Sequence, residues 1–364
     1  MNKVPMIDLQ SQYFSLRSEI DRAIEVCFTN AEFIGGNAVQ DFERNIASYI
    51  NIKHCISCGN GTDALQIALM ALDLPKGSKI IVPAVTYIAP VEVIKFLGFE
   101  LVFADVDLNT FNITLENIKA VFTEDVKAVI AVHLFGQICE IDKIYEFTQS
   151  NNIHLIEDNA QALGAEKDIS RNSIITTSFY PTKNLGAYGD GGAIFCNDDS
   201  LAEQMRKIAS HGQSAKYYHD IVGINSRLDT LQAAILNVKL PYLESYNQRR
   251  QNNAAFYNVQ LKDVAEIELP IATQAHIFHQ FTIKVKHNLR DKLRHHLADK
   301  QISTIINYPM PCYKQKAFLN NDLHLPNAEY LCASSLSLPI YPEISEAQLL
   351  YICNTIKDFF TADE

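Results

Sequence analysis

Two patterns of apolar and polar positions, one typical of strands and one typical of helices, alternate between about residues 50 and 200. Short apolar runs rich in β-branched residues are predicted to form strands at 79–82, 101–104, 128–132, 154–157, 177–179 and 193–196. The segments between them have helical periodicity, as in 63–74, where Leu65, Leu69 and Leu72 fall on one side of a helix. Strands that alternate with helices in this way are typical of an α/β domain with a mostly parallel sheet.

The polar stretch 246–253 interrupts this alternation. Beyond it come an apolar run at 281–285, a helical pattern near 289–299 and an apolar helix at the end of the chain. A chain of 364 residues is longer than a domain with one hydrophobic core usually is, because single cores stop growing at roughly 250 to 300 residues. We therefore predict a large domain over 1–245 and a smaller α+β domain over 246–364.

Acidic residues outnumber basic ones and give the chain a formal net charge of −11. Nucleic acid or an anionic membrane would repel such a surface unless a basic stripe offset the charge, and no such stripe is visible. We expect neither partner. The sequence also lacks an apolar run of about 18 residues and a signal-peptide pattern at its start, so we expect a cytoplasmic protein. An anionic ligand must be held locally, by glycine loops and helix N-termini.

Eight cysteines are scattered through apolar stretches, which favours reduced, buried thiols over a disulfide framework. Cys55 and Cys58 form a C-x-x-C pair, but no second pair or histidine cluster accompanies them. Core thiols at the end of a strand are the better interpretation. We predict no metal site.

A single lysine, Lys183, lies between a predicted strand and the glycine-rich turn 186–192. A lysine held there and shielded from water has a lowered pKa, which favours Schiff-base chemistry. The alternative is a solvated lysine on a flexible loop, and for a lysine considered alone that alternative is the more common one.

Asp158 comes directly after the apolar run 154–157. Ligands of open α/β sheets bind beyond the carboxyl ends of the strands, which places Asp158 in the expected pocket. A pyridoxal cofactor needs a carboxylate beside its ring nitrogen, because a protonated ring withdraws electrons during catalysis. The alternative is that Asp158 only caps a helix.

The segment 59–65, Gly-Asn-Gly-Thr-Asp-Ala-Leu, joins a strand to the start of a helix. Small residues let backbone N–H groups approach an anion, and the helix dipole adds to the attraction, so a phosphate can dock there. The segment matches neither a Walker loop nor the dinucleotide fingerprint. A simple turn with a helix cap is the alternative.

Five motifs in one order resemble the DegT/DnrJ/EryC1/StrS sugar aminotransferases; they lie at 59–65, 82–87, 157–162, 178–192 and 223–229. The resemblance extends from Met6 into the C-terminal domain. It implies fold type I of the pyridoxal 5′-phosphate (PLP) enzymes, with a large mixed, mostly parallel sheet flanked by helices. It also implies a homodimer whose active sites lie at the subunit interface.

The same resemblance implies roles for four residues around the cofactor ring. Lys183 would carry PLP as a Schiff base, and Asp158 would pair with the ring nitrogen. Gln161 would lie near the phenolic oxygen. Tyr87 would stack on the ring, where an aromatic side chain loses little entropy on ordering.

The phosphate of the cofactor is expected to be held by Gly61, Thr62 and Ser178, again by resemblance. Asn225 would reach this phosphate from the partner subunit. The amino donor expected for the family is L-glutamate, and Lys183 would move the proton during transfer, which leaves pyridoxamine 5′-phosphate until a nucleotide-linked keto-sugar takes up the amino group. The lysine at 183 argues against the deoxygenating branch of the family, whose members carry histidine there.

The choice of sugar is predicted from fewer residues. Lys216 to His219 resemble an element of enzymes that aminate C3 of dTDP-linked 3-keto-6-deoxyhexoses, although Lys216 could be a solvated cation and His219 an ordinary histidine. Tyr308 and Tyr313 are further candidates for substrate contacts. Asn307 and Tyr313 stand where relatives commonly have histidines, and the stretch between 164 and 178 is short. Both departures concern the sugar pocket and not the cofactor site.

Three other functions are alternatives to C3 amination. One is amination at C4 of a dTDP- or UDP-linked 4-keto-6-deoxyhexose. Another is a regulatory protein that has kept the fold without catalysis, which the joint presence of Lys183, Asp158 and Gln161 disfavours. A nicotinamide-dependent oxidoreductase would fit the strand and helix alternation, but its fingerprint is missing.

Overall fold

The computed structural model describes residues 3–271 and 276–361. A seven-stranded sheet forms its centre, and all six predicted strands lie in it. The strands are β1 His54–Cys58, β2 Lys79–Pro83, β3 Glu100–Ala104, β4 Val126–Val132, β5 His154–Asp158, β6 Ile174–Ser178 and β7 Gly192–Cys196. β6 begins three residues before the predicted run 177–179, because Ile174 already pairs with Ile156 of β5.

The order of strands in this sheet is β1-β7-β6-β5-β4-β2-β3. β7 runs antiparallel to both of its neighbours, and the other four pairs are parallel. The predicted mixed, mostly parallel α/β sheet is therefore confirmed. The four parallel pairs bring the carboxyl ends of five strands, β2 to β6, to one edge, where ligands of such sheets bind.

Helices cover both faces of the sheet. They are α1 Leu9–Asn30, α2 Gly36–Ile50, α3 Gly61–Ala71, α4 Ala89–Phe96, α5 Leu115–Val121, α6 Ile141–Ser150, α7 Asp199–Ala209 and α8 Thr230–Lys239. Successive side chains of a strand point to opposite faces, so Ile80 and Val82 pack with one core while Ile81 packs with the other. Two-sided burial explains why the strands are continuously apolar.

A second core surrounds a three-stranded antiparallel sheet formed by β10 Ile267–Glu268, β11 Phe281–Val285 and β12 Ser335–Leu338. Four helices belong to this part of the chain, α9 Leu243–Leu261, α10 Arg290–Asp299, α11 Pro326–Ser334 and α12 Glu346–Thr361. The predicted strand at 281–285 and the helix near 289–299 are confirmed. The division between 245 and 246 stays a prediction, since α9 runs across it and Val4 packs with the second core.

Two surface features bear on function. β8 Gln213–Ala215 and β9 Tyr218–His219 form an exposed hairpin, whose tip residues Tyr217 and Tyr218 face solvent. Within 3–271 and 276–361, no helix is both long and apolar enough to cross a membrane. All eight cysteines are buried, and Cys55 and Cys58 lie in β1.

Candidate active site

A cavity of about 500 Å³ opens at the carboxyl ends of the parallel strands. Eight residues predicted from the sequence line it: Gly61, Thr62, Tyr87, Asp158, Gln161, Ser178, Lys183 and Tyr308. They come from loops that follow four different strands and from the second half of the chain. The fold therefore brings together residues that are up to 247 positions apart in the sequence.

Lys183 lies in a tight turn that follows β6. Its N–H donates to the carbonyl of Tyr180 at 2.8 Å, and the N–H of Ala187 donates to Phe179 at 2.8 Å. A Cβ on Gly186 would lie 2.3 Å from the carbonyl oxygen of Pro181, so the turn requires glycine. The buried side chain of Lys239 donates a hydrogen bond to the carbonyl of Gly186. This rigid turn is unlike the flexible loop of the alternative interpretation.

The amine of Lys183 makes no hydrogen bond or ion pair with any residue that the structure describes. Burial lowers the pKa of Lys183 to about 8, and the negative charge of Asp158 opposes that shift. An amine with this pKa is uncharged in a sizeable fraction of molecules near neutral pH, which suits both covalent attachment and proton transfer.

Asp158 ends β5 and is only 7% exposed. Its Oδ1 accepts a hydrogen bond from the N–H of Ala160 at 3.0 Å. Its Oδ2 has no partner among the described residues and is open to the cavity. Burial raises the pKa of Asp158, while the Ala160 hydrogen bond and the charges of Lys183 and His133 act in the opposite direction.

A buried network supports the end of β5 behind Asp158. Arg171 donates from Nε and Nη2 to the two carboxylate oxygens of Glu157, each at 2.7 Å. Ser173 donates to the same carboxylate, and His133 Nε2 lies 3.1 Å from it. The N–H of Cys139 donates to His133 Nδ1 at 3.2 Å, so His133 donates from Nε2 to Glu157.

The glycine-containing loop before α3 forms a close backbone approach. Asn60 caps the helix, since its side chain accepts from the N–H of Asp63 at 2.8 Å. A Cβ on Gly61 would lie 2.8 Å from Cβ of Ser178, so only glycine lets the helix N-terminus reach the end of β6. Ser226 Oγ accepts from the N–H of Gly59 at 2.9 Å and donates to Asp63 at 2.6 Å.

Gln161 presents a donor to the cavity. Its Oε1 accepts from the N–H of Phe135 at 2.7 Å, which fixes the orientation of the amide and turns Nε2 toward Tyr308, 3.5 Å away. Tyr87 is 57% exposed, and its ring centroid lies 6.4 Å from that of Tyr308 at the mouth of the cavity.

Four predicted residues are not among those that line the cavity. Lys216 lies over the ring of Tyr217 on the exposed hairpin, and His219 Nδ1 contacts the carbonyl of His211 at 2.8 Å. Asn225 forms an isolated β-bridge with Ser210. Tyr313 is fully buried, and its hydroxyl donates to Glu329 at 2.6 Å. The structure does not bring Tyr313 to the cavity, because its ring packs beside Phe103 in the core that also contains Ile80 and Val82.

Other cavity residues had no signal in the periodicity of the sequence; they are Asn60, Thr86, Tyr180, Thr182, Asp190, His279, Gln280 and Ile305. Most lie in irregular segments, where only the fold decides which side chains meet. Five of them, Asn60, Thr86, Tyr180, Thr182 and Asp190, lie within the motifs at 59–65, 82–87 and 178–192, so the resemblance could have indicated them.

The chemistry of these donors fits PLP. The cavity offers an amine with a lowered pKa, a carboxylate oxygen without a partner and an amide donor on a fixed support. It also offers the N-terminus of α3, where a side chain at Gly61 would collide with Ser178. Such a close approach of backbone N–H groups suits a phosphate group. These are the groups that the amine-reactive carbon, ring nitrogen, phenolic oxygen and phosphate of PLP require.

Comparisons with known proteins identify the family of the chain. The DegT/DnrJ/EryC1/StrS aminotransferase family matches residues 15–357 of the chain. A pleiotropic regulatory protein of Geobacillus stearothermophilus is 41% identical over 98% of both chains. The dTDP-3-amino-3,6-dideoxy-alpha-D-galactopyranose transaminase of Aneurinibacillus thermoaerophilus is 39% identical over 98% of this chain and 99% of its own.

Two further proteins extend the comparison. The UDP-2-acetamido-2-deoxy-3-oxo-D-glucuronate aminotransferase of Pseudomonas aeruginosa is 38% identical over 96% of this chain and 98% of its own. The crystal structure of S. venezuelae DesV in complex with a ketimine intermediate has a TM-score of 0.95 and 34% identity, and covers 99% of both chains. The chain belongs to the DegT/DnrJ/EryC1/StrS family of PLP-dependent aminotransferases.

Proposed function

We propose that this chain transfers the amino group of L-glutamate to C3 of a dTDP-linked 3-keto-6-deoxyhexose, for the synthesis of deoxyamino-sugars of a surface polysaccharide or glycoside. The observation that carries C3 is that two relatives with different nucleotides, the dTDP-sugar and UDP-sugar enzymes, are both named for a group at C3 of the sugar. The Lys216 to His219 element supports the dTDP-linked substrate.

Lys183 is the proposed catalytic residue. When bound, PLP supplies an electron-withdrawing ring that stabilises negative charge on the carbon that loses a proton. Lys183 would hold the cofactor covalently until the amino group of glutamate displaces its Nζ. The released Nζ would then take the proton from Cα of glutamate, and the lowered pKa of about 8 keeps part of the amine in the basic form.

The other cavity residues hold the cofactor. Asp158 Oδ2 would accept a hydrogen bond from the ring nitrogen and favour its protonated form. Gln161 Nε2 would donate to the phenolic oxygen. The N-terminus of α3 at Gly61 and Thr62, with the hydroxyl of Ser178, would hold the phosphate.

The partner subunit completes the site in this proposal. Asn225, Lys216 and His219 lie away from the cavity of their own chain, and the last two lie on an exposed hairpin. In a homodimer with shared sites, Asn225 would reach the phosphate of the neighbour. Lys216 and His219 would then contact the nucleotide-linked sugar. Tyr308 contributes to the sugar pocket from the same chain as Lys183.

A 3-keto sugar linked to UDP is the second candidate, because the UDP-sugar relative is about as similar as the dTDP-sugar one. A regulatory role is suggested by the name of one relative. It is disfavoured by the amine of Lys183 and Oδ2 of Asp158, which face one cavity and have no partner among the residues that the structure describes.

The test is to offer the purified holoenzyme glutamate with each of three substrates: a dTDP-linked 3-keto-6-deoxyhexose, its 4-keto isomer and a UDP-linked 3-keto sugar. NMR of the product identifies the aminated carbon. We expect amination at C3 with the dTDP-linked sugar preferred. Exclusive turnover of the 4-keto or UDP-linked sugar would contradict the proposed substrate, and no turnover with any sugar would contradict the activity.

A further inference from the structure

His279 is a cavity residue for which the proposed function has no role. It lies two residues before β11 and is 7% exposed. Its backbone passes close to the single 3₁₀ turn Leu134–Gly136, where a Cβ on Gly136 would lie 2.8 Å from the backbone nitrogen of His279. Arg250 donates to the carbonyl of His279 at 3.4 Å. The backbone that carries the imidazole is therefore held on two sides.

A chain of hydrogen bonds fixes which ring nitrogen carries the proton. Asn247 Nδ2 donates to the carbonyl of Leu163 at 3.2 Å, and a carbonyl can only accept. Asn247 Oδ1 therefore accepts from Asn184 Nδ2, at 2.7 Å. Asn184 Oδ1 must then accept from His279 Nδ1, at 2.9 Å. His279 carries its hydrogen on Nδ1.

The other ring nitrogen is consequently a free acceptor. Burial lowers the pKa of His279 well below its ordinary value, and the nearby charges of Lys183 and Arg250 act in the same direction, so the ring is neutral. Nε2 has no hydrogen-bond partner among the described residues and is open to the cavity. A neutral imidazole with Nδ1–H carries a lone pair on Nε2.

Resting on the proposed function, we propose that His279 is a positioning residue for Lys183, whose free amine donates a hydrogen bond to Nε2 of His279 and is thereby aimed at the reacting carbon. Asn184 directly follows Lys183 in the turn, so the same turn that carries the amine also orients the imidazole. Both groups line one cavity, and neither has another described partner there.

Two substitutions separate the two ends of the ring. His279→Asn keeps an N–H that can donate to Asn184 but removes the acceptor from the cavity. His279→Gln places an amide oxygen near the position of Nε2. We expect His279→Asn to slow the half-reaction with glutamate by about tenfold to a hundredfold, as for a lost hydrogen bond to an amine. The glutamate concentration that gives half of the maximal rate should change little. His279→Gln should recover most of that rate.

The direct readout is ¹⁵N NMR of histidine-labelled holoenzyme, with the His279 signals assigned by their absence from His279→Asn. We expect one protonated and one unprotonated ring nitrogen. The unprotonated signal should move toward lower frequency when glutamate converts the enzyme to the aminated cofactor form, in which Lys183 is free. The ring should stay neutral at every pH where the enzyme is folded.

A doubly protonated ring, an Nε2–H tautomer or a static Nε2 signal would overturn the proposal, and so would an unchanged rate in His279→Asn. If that variant does not fold, His279→Gln assigns the NMR signals instead. The proposed function fails separately, if wild-type enzyme takes no amino group from glutamate. The tautomer of His279 would still be measurable in that case.

Discussion

Arg171 and Glu157 form a bidentate ion pair under the active site, with both N···O distances at 2.7 Å and both side chains buried. Glu157 directly precedes Asp158 in β5, so this pair supports the strand end from which Asp158 enters the cavity. Removing one partner of a buried pair is expensive because the other charge is left without compensation.

We predict that Arg171→Met lowers the free energy of unfolding by about 3 to 5 kcal/mol at neutral pH. Arg17→Met is the matched control. Arg17 pairs with Asp21 at 3.3 Å, but both side chains are about half exposed, and such pairs contribute about 0 to 1 kcal/mol. Urea denaturation measures both. Equal losses in the two variants would contradict a special role for the buried pair.

The same pair predicts a dependence on pH. Burial alone would raise the pKa of Glu157, but hydrogen bonds from His133 and Arg171 lower it from 4.5 to about 2. A depressed carboxyl pKa stabilises the fold above the unfolded value, and that contribution is lost as the pH falls from 4.5 through about 2. We expect this acid-sensitive part of the stability to be smaller in Arg171→Met, where only His133 still lowers the pKa of Glu157. An acid unfolding profile of the same steepness in both proteins would contradict the assignment.

The pKa of the Lys183 amine determines how cofactor capture should depend on pH. Since burial lowers the pKa of its amine to about 8, the rate of PLP capture by apoenzyme should rise with pH and level off above that value. Asp158→Asn should shift the midpoint lower, because the charge of Asp158 raises the pKa of Lys183. Asp142→Asn, on the exposed side of α6, is the control. Stopped-flow absorbance gives the rates, and a midpoint near the ordinary 10.5 would contradict the account.

Asn225 predicts complementation between subunits. Its neighbour Ser226 is tied to the Gly59 loop of its own chain, while Asn225 is absent from the cavity lining of that chain. In the shared-site proposal, Asn225→Ala weakens the cofactor site of the partner by about 1.5 to 3 kcal/mol, as expected for one charge-assisted hydrogen bond. Mixing Lys183→Ala subunits with Asn225→Ala subunits should then create one intact site in each hybrid dimer.

The measurement is activity after subunit exchange, with exchange itself followed by native mass spectrometry. Activity should exceed that of either variant alone. The control mixes wild-type chains with chains that carry both substitutions. There we expect activity to fall on exchange, because neither site of a hybrid dimer is intact. Exchange without recovered activity, or an active monomer, would show that Asn225 serves its own subunit.

The sequence predicts the parts of this molecule that repeat a local pattern. Runs such as 79–82 are continuously apolar because both sheet faces are covered, and Asp158 could be placed in the site because it ends such a run. Ser178, Lys183 and the Gly61 loop follow strands in the same way. In each case a short stretch of residues determines the local structure.

Other parts depend on contacts between distant segments. Asn184 and Asn247 are 63 positions apart, and no periodicity indicates that they meet under His279. Arg171 comes from an irregular segment, yet it completes the support of Glu157. Tyr313 lies in a proline-containing loop where an aromatic residue could face either the substrate or the core, and only packing decides between them.

Lys183 is the residue proposed to hold the cofactor and to move the proton. Borohydride reduction of the holoenzyme, followed by proteolysis and mass spectrometry, should find the cofactor on the peptide that contains Lys183. Lys183→Ala should carry no such label and lose transamination by several orders of magnitude, while Lys119→Ala, on an exposed helix face, should behave as wild type. A label on another lysine, or near-normal turnover in Lys183→Ala, would contradict the account.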